Sequence, residues 1–246
     1  MGSRTASTES VLIQVGSIAV VDLEAALELY AETVLPEPLG RSRPVGSLWL
    51  ASRNVEPIET RLSDGDLRRM QPWVAALVRP DVSVQCRVEY SDGNADDRRL
   101  YAVRGQGVGF VAVQRRCDGM DTIDVYSAAP DVLSQAVAES AGLVGAGTRW
   151  RIELADRHAD ADRYDDLGFL IPGSERERSN ATIVDRGSIT ATGTLRVGDR
   201  FVQWVQIDGD GDYILDPAEP GSAEPLDIET MTGCVAGLIA ADLSRR

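Results

Sequence analysis

The sequence contains no lysine: all 25 of its basic residues are arginine. That absence removes Schiff-base chemistry and the phosphate-binding lysine of a P-loop, since both need a primary amine. Histidine is almost as scarce. His158 is the single imidazole in 246 residues, so acid–base or metal chemistry has one such group to draw on. The three cysteines, Cys86, Cys117 and Cys234, stand far apart with no C-x-x-C pair, which writes neither a zinc knuckle nor a redox motif. They read as small apolar residues of a reduced protein. No apolar run approaches the ~18 residues of a membrane span, and the opening MGSRTASTES has no apolar core of the signal-peptide type. The expectation is a cytoplasmic protein with no membrane insertion, short of the groups most enzymes use.

What is present is acid. Asp and Glu number 39 against 25 Arg, a formal charge of −14. A field of that sign opposes approach to nucleic acid or to an anionic membrane surface. The rest of the composition, 43% apolar and 26% charged, is that of a chain able to bury a core without staples.

Residues 10–20 are β-branched and apolar and read as a strand. From Asp22, a candidate N-cap, Leu23, Ala26, Leu27, Tyr30 and Val34 fall at helical spacing until Pro36. Residues 40–60 read as loop, anchored by Leu48, Trp49 and Leu50. A second helix is expected over 66–78, starting late or kinking at Pro72. Four strands follow at 82–90, 98–105, 108–116 and 121–128. Turns at Asp92-Gly93 and Asp118-Gly119 make them an antiparallel meander, and a helix begins at Pro130. The same order returns about a hundred residues on, with strands in 181–195, 199–207 and 212–216 and a closing helix from Asp227. The expectation is one α+β domain over 1–246 with a central antiparallel sheet of quasi-twofold, meander-plus-helix architecture and flanking helical bundles. Its half-repeats span about 10–145 and 181–246, with an acidic connector at about 150–180.

Several short motifs carry blander readings than their chemistry. Asp208, Asp210 and Asp212, with Glu219 at position 12 of the count, have the oxygen spacing of a calcium loop. Tyr213 stands where that loop needs glycine, and the flanks read as strands, so an Asp/Gly turn is preferred and no metal is assigned. His158, Asp160 and Asp162 alternate within the connector, where no rigid element holds ligand geometry. Gly105, Gly107 and Gly109 precede a strand, not the helix N-terminus an anion site needs. In the closing helix, Ile228, Met231, Val235 and Leu238, with Ile239 beside them, form an apolar stripe. Gly233, Gly237 and Ala241 form a second face of small residues that permits close helix approach.

Taken in order, several phrases resemble the EspG family, the cytosolic chaperones of actinobacterial type VII (ESX) secretion. They are the strand-to-helix step over Val20–Tyr30 with Pro38-Leu39, the helix end and strand Leu77–Val88, and the hairpin phrases Arg99–Arg104 and Gly109–Val113. Further on, Gly193–Arg200, Trp204 and Asp208–Leu215 follow the family's C-terminal pattern. The family usually has Gly-Arg-Tyr where this chain has Gly211-Asp212-Tyr213, and a longer, more helical middle than 150–180 here, which marks a distant member. The resemblance implies a chaperone without catalytic residues or cofactor. It would hold the apolar helical tip of the PPE subunit of a PE–PPE heterodimer, keep it soluble and deliver it to secretion, and it allows a homodimer when client-free. Carried onto matching positions, its binding residues are Asp92, Gly93, Asn94, Arg98 and Arg99 of the hairpin loop, Trp204 and Ile207 of the sheet, and Met231, Val235 and Leu238 of the closing helix. The alternative from the residues alone is a metal-dependent enzyme or calcium-responsive module on Asp208, Asp210, Asp212 and Glu219.

Overall fold

A computed structural model describes residues 12–42, 56–93, 96–117, 119–155, 182–219 and 221–245. Strand β1 (Ile13–Ala19) runs directly into helix α1 (Val20–Glu28), so Asp22 lies in the first turn and does not cap the helix. The helix also stops earlier than its apolar spacing suggests. Glu32 N–H reaches Leu27 O at 3.1 Å and Ala31 N–H reaches Glu28 O at 3.0 Å, a left-handed closure in which Ala31 takes φ 62°. Helix α2 (Ile58–Ser63) occupies part of the stretch read as loop. The helix expected over 66–78 is α3 (Gln71–Val78) preceded by a single 3-10 turn. Pro72 sits in its first turn, where the missing N–H costs nothing.

Strands β2 (Val82–Tyr90), β3 (Arg98–Gly105), β4 (Val108–Cys117) and β5 (Met120–Ala128) form the expected meander, and helix α4 (Leu133–Ser140) follows it, starting one turn beyond Pro130. Strand β6 (Ile152–Ala155) lies in the first residues of the supposed connector, and β7 (Thr182–Asp185) pairs with it in parallel. The long strand expected over 181–195 is therefore split. Asp185 accepts from Gly187 N–H at 3.0 Å in a 3-10 turn, and β8 (Ile189–Val197) resumes on another strand's edge. Then come β9 (Arg200–Ile207), β10 (Gly211–Leu215), β11 (Ser222–Pro225) and helix α5 (Ile228–Leu243). Asp227 caps α5 by accepting Thr230 N–H at 2.7 Å.

The protein is α+β. The eleven strands among the described residues form one sheet in the order β1-β5-β4-β3-β2-β8-β9-β10-β11-β6-β7, antiparallel everywhere except β6–β7. The two meanders meet at β2 and β8, which pair antiparallel from Gln85↔Arg196 to Tyr90↔Ala191. One sheet face carries α4 and α5, packed against each other and over Val84, Cys86, Val88, Leu100, Leu195 and Trp204. Among the described residues, the opposite face is covered by α1–α3 over β1, β3, β4 and β5, around Ile18, Trp73, Val103 and Ile123. A third cluster, on the same face at the far end, gathers Ile152, Val184, Val205 and Tyr213.

Candidate interaction surface

Among the described residues, no helix covers the sheet's second face between its two apolar clusters. On β2 and β8, period-two alternation sends Val84, Cys86, Val88, Ala191 and Leu195 to the α4–α5 layer and Gln85, Arg87, Glu89, Thr192, Thr194 and Arg196 to the other side. The latter set floors a trough of about 440 Å³ walled by Pro38 and Leu39. Phe201, directly opposite Arg196 across β8–β9, shares this face and is 55% exposed. Next to it, Gln203 Nε2 donates to Thr194 Oγ1 at 3.4 Å.

Arg99 lines both this trough and a second depression of about 510 Å³ at the mouth of the β2–β3 hairpin, beside Tyr90, Gly93, Asp97, Arg98 and Gln114. The hairpin mouth is held by charge pairing. Arg87 Nη2 lies 2.6 Å from Asp97 and 3.0 Å from Glu89, and the Asp97 hydrogen bond first, then Glu89, keeps the guanidinium protonated above its ordinary value. Arg98 Nε donates to Ser140 O at 2.7 Å, tying the hairpin to the end of α4, while Arg99 Nη1 donates to Gly40 O at 3.2 Å.

The residues singled out from sequence fall in three places. Asp92 and Gly93 are exposed at the hairpin tip, with Gly93 at φ 64°, and Arg98 and Arg99 are half-buried at its base. Asn94 lies outside the described residues, as do His158, Asp160 and Asp162. Trp204, Met231 and Val235 are core residues with at most 1% exposure, so they offer no surface to a partner. Leu238 packs half-buried against the same core. Ile207 is buried on the opposite face with Val205 and Tyr213. Apart from Ile228, 46% exposed in its first turn, the apolar stripe of α5 is thus spent inside the molecule. Its outward positions are Gly233, Ala236, Gly237 and Ala240, with open space over both glycines. Sequence reading missed the trough residues, although the alternation Thr190, Thr192, Thr194, Arg196 is visible in the chain.

The Asp-Gly segment is a clamp. Asp212 is fully buried; its carboxylate accepts Val144 N–H at 2.6 Å, Gly145 N–H at 2.9 Å and Gln206 Nε2 at 3.1 Å. Burial pushes its pKa above the usual carboxylate range despite those donors. Asp210 accepts from Thr148 N–H at 2.8 Å and Tyr213 OH at 2.7 Å, and sits 3.4 Å from Arg149 Nε. Burial works against its charge, but these partners together hold it below the ordinary value. Glu219 is paired with Arg151. The acids therefore fasten residues 144–151 to β10 and β11. Among the described residues no three His, Cys, Asp or Glu are grouped to hold a metal ion. The Cys86 thiol is pushed up to about 12 by burial, which keeps it protonated and unreactive. No helix among the described residues is long and apolar enough to cross a membrane. No protein-family model matches the chain, and no curated protein matches it.

Proposed function

We propose that this protein is a non-catalytic cytoplasmic chaperone of the EspG type, holding the PPE subunit of a PE–PPE heterodimer against the open middle of its sheet. The observation that carries this reading is the strip over β2, β8 and β9, which no helix among the described residues covers. Interior strands have satisfied backbones, so a face left bare there recognises through side chains alone. Threonine, glutamine and arginine around one exposed aromatic are the composition of a reversible, partly wet interface. Phe201 is the apolar anchor for a helical tip, and Arg99 extends the floor at one end toward the hairpin that carries Asp92, Gly93 and Arg98, the last turned toward α4. The proposed surface thus differs from a greasy patch on α5. The pairing of two meanders at β2–β8, each followed by a helix and the helices packed together, supports the quasi-twofold architecture expected from the repeated order of elements. It also allows a client-free homodimer. A metal-dependent role for Asp208, Asp210, Asp212 and Glu219 is less favoured, because three of the four are already engaged by N–H donors or arginine.

The test is co-expression with PE–PPE pairs encoded beside the gene, followed by affinity capture. Phe201→Asp and Thr194→Arg lie on the open face and are expected to weaken capture about tenfold or more, the loss of one buried anchor. Leu238→Asp probes the opposite layer. Loss with Leu238→Asp alone, fold intact by circular dichroism, moves the client to α5. No retention of any PE–PPE pair by the unaltered chain refutes the chaperone reading.

A further inference from the structure

The end of α1 carries a second candidate surface, distinct in chemistry from the trough. Leu29, Tyr30 and Val34 are 49%, 40% and 76% exposed, three large apolar side chains within six residues of a strongly acidic protein. Val34 lines a groove of about 370 Å³ whose other apolar lining residues are Leu27, Leu35 and Leu39. Its rim is Glu24, Glu28 and Glu32. Arg41 neutralises Glu24, with Nε 2.9 Å from Oε1. Glu28 and Glu32 have no ion-pair partner among the described residues.

The groove is preformed. The turn between α1 and the segment to Gly40 is closed by two backbone hydrogen bonds with Ala31 at φ 62°, a conformation that costs a side-chain-bearing residue about 1 kcal/mol. Beyond it, Gly40 is clamped to β4 in both directions. Its N–H donates to Gln114 Oε1 at 2.9 Å, and Gln114 Nε2 donates to Gly40 O at 2.7 Å. Both walls are therefore fixed before anything binds, which lowers the ordering cost of an occupant.

We infer that this groove docks a basic amphipathic segment of a partner protein, seating an aliphatic side chain between Leu27, Val34 and Leu39 while flanking arginine or lysine meets Glu28 and Glu32. Charge complementarity selects that occupant. An apolar segment alone leaves two carboxylates beside a drying surface without a counter-charge, and an acidic one is repelled. The inference does not rest on the chaperone reading: its residues lie on α1 and the turn after it, and Leu39 is the one side chain that also borders the trough.

The probe is a fluorescein-labelled amphipathic peptide of leucine and arginine, read by fluorescence anisotropy with the full chain. Two controls replace every leucine by serine or every arginine by glutamate. The expected result is saturable binding of the first peptide only, weakened about tenfold by Val34→Asp and by the pair Glu28→Arg and Glu32→Arg. A matched charge reversal elsewhere, Asp131→Arg with Glu139→Arg, leaves binding within about twofold after correction for ionic strength. Equal binding of the serine peptide, or an equal loss from the distant reversal, reduces the effect to the overall negative field and overturns the inference. So does binding insensitive to Val34→Asp. Sedimentation closes the remaining case: a dimer abolished by Val34→Asp assigns the groove to a second copy and refutes a basic partner segment.

Discussion

Asp212 concentrates the conflict between burial and charge in one side chain. Its three partners are all donors, from Val144, Gly145 and Gln206, so the ionised form is the one they suit, yet desolvation raises its pKa. The native state then binds the proton more readily than the unfolded chain does. Stability therefore falls as pH rises from about 3.9 through the native pKa, and above that the full penalty of the buried charge remains. Asp212→Asn removes the penalty without orphaning a group. Its oxygen accepts both backbone N–H groups, and Gln206 turns its amide over so that its oxygen accepts the new NH2. We expect Asp212→Asn to be more stable than the wild type at pH 7 and to lose this part of the pH slope. Asp212→Ala leaves three donors without an acceptor and should cost about 2–4 kcal/mol. Urea unfolding at several pH values checks both; an asparagine variant as damaged as the alanine one means the carboxylate's charge is itself required.

At the scale of elements, close packing of an aromatic on a glycine fixes the seam between helices and sheet. Gly193 and Trp204 are directly opposite across β8–β9, and a Cβ on Gly193 would lie 2.0 Å from the indole. Gly193→Ala must displace a fully buried Trp and is expected to cost about 2–3 kcal/mol, read as a lower urea midpoint at unchanged slope. A Cβ on Gly147 would likewise lie 2.0 Å from the Tyr213 ring, which makes Gly147→Ala the matched test in the Asp-Gly clamp. These contacts also mark where sequence reading succeeds and fails. The alternation of β2 and β8 is legible because each strand runs nine residues with one face apolar. Strands β6, β7 and β11 have four residues each, too few to show a period, and depend on neighbours remote in the chain. The resemblance puts Trp204 and Ile207 on one surface, although residues three apart on a strand point to opposite faces. For Met231 and Val235 the helical stripe was visible, but whether it faced its own core or a partner was not, since both demand the same residues.

Across the whole molecule, both meanders share a single sheet through β2–β8 and a single core beneath α4 and α5. That core draws side chains from both halves: Leu100, Val111 and Val137 from one, Leu195, Trp204 and Met231 from the other. Neither meander can be exposed without stripping apolar cover from its neighbour. A chain of 246 residues is long enough to unfold in stages, so the shared core makes a definite prediction. Hydrogen exchange should find the amides of β2, β3, β8 and β9 opening together with the global free energy, while those of β7, paired on one edge only and ending in four residues, exchange by local opening. Leu195→Ala removes a fully buried side chain at the seam and should lower the protection of β3 and β9 equally, by about 2–4 kcal/mol. If β9 loses protection while β3 keeps it, the two meanders are separate folding units. The continuous sheet would then be an assembly of halves, and the open face over β2 and β8 a joint free to change its shape.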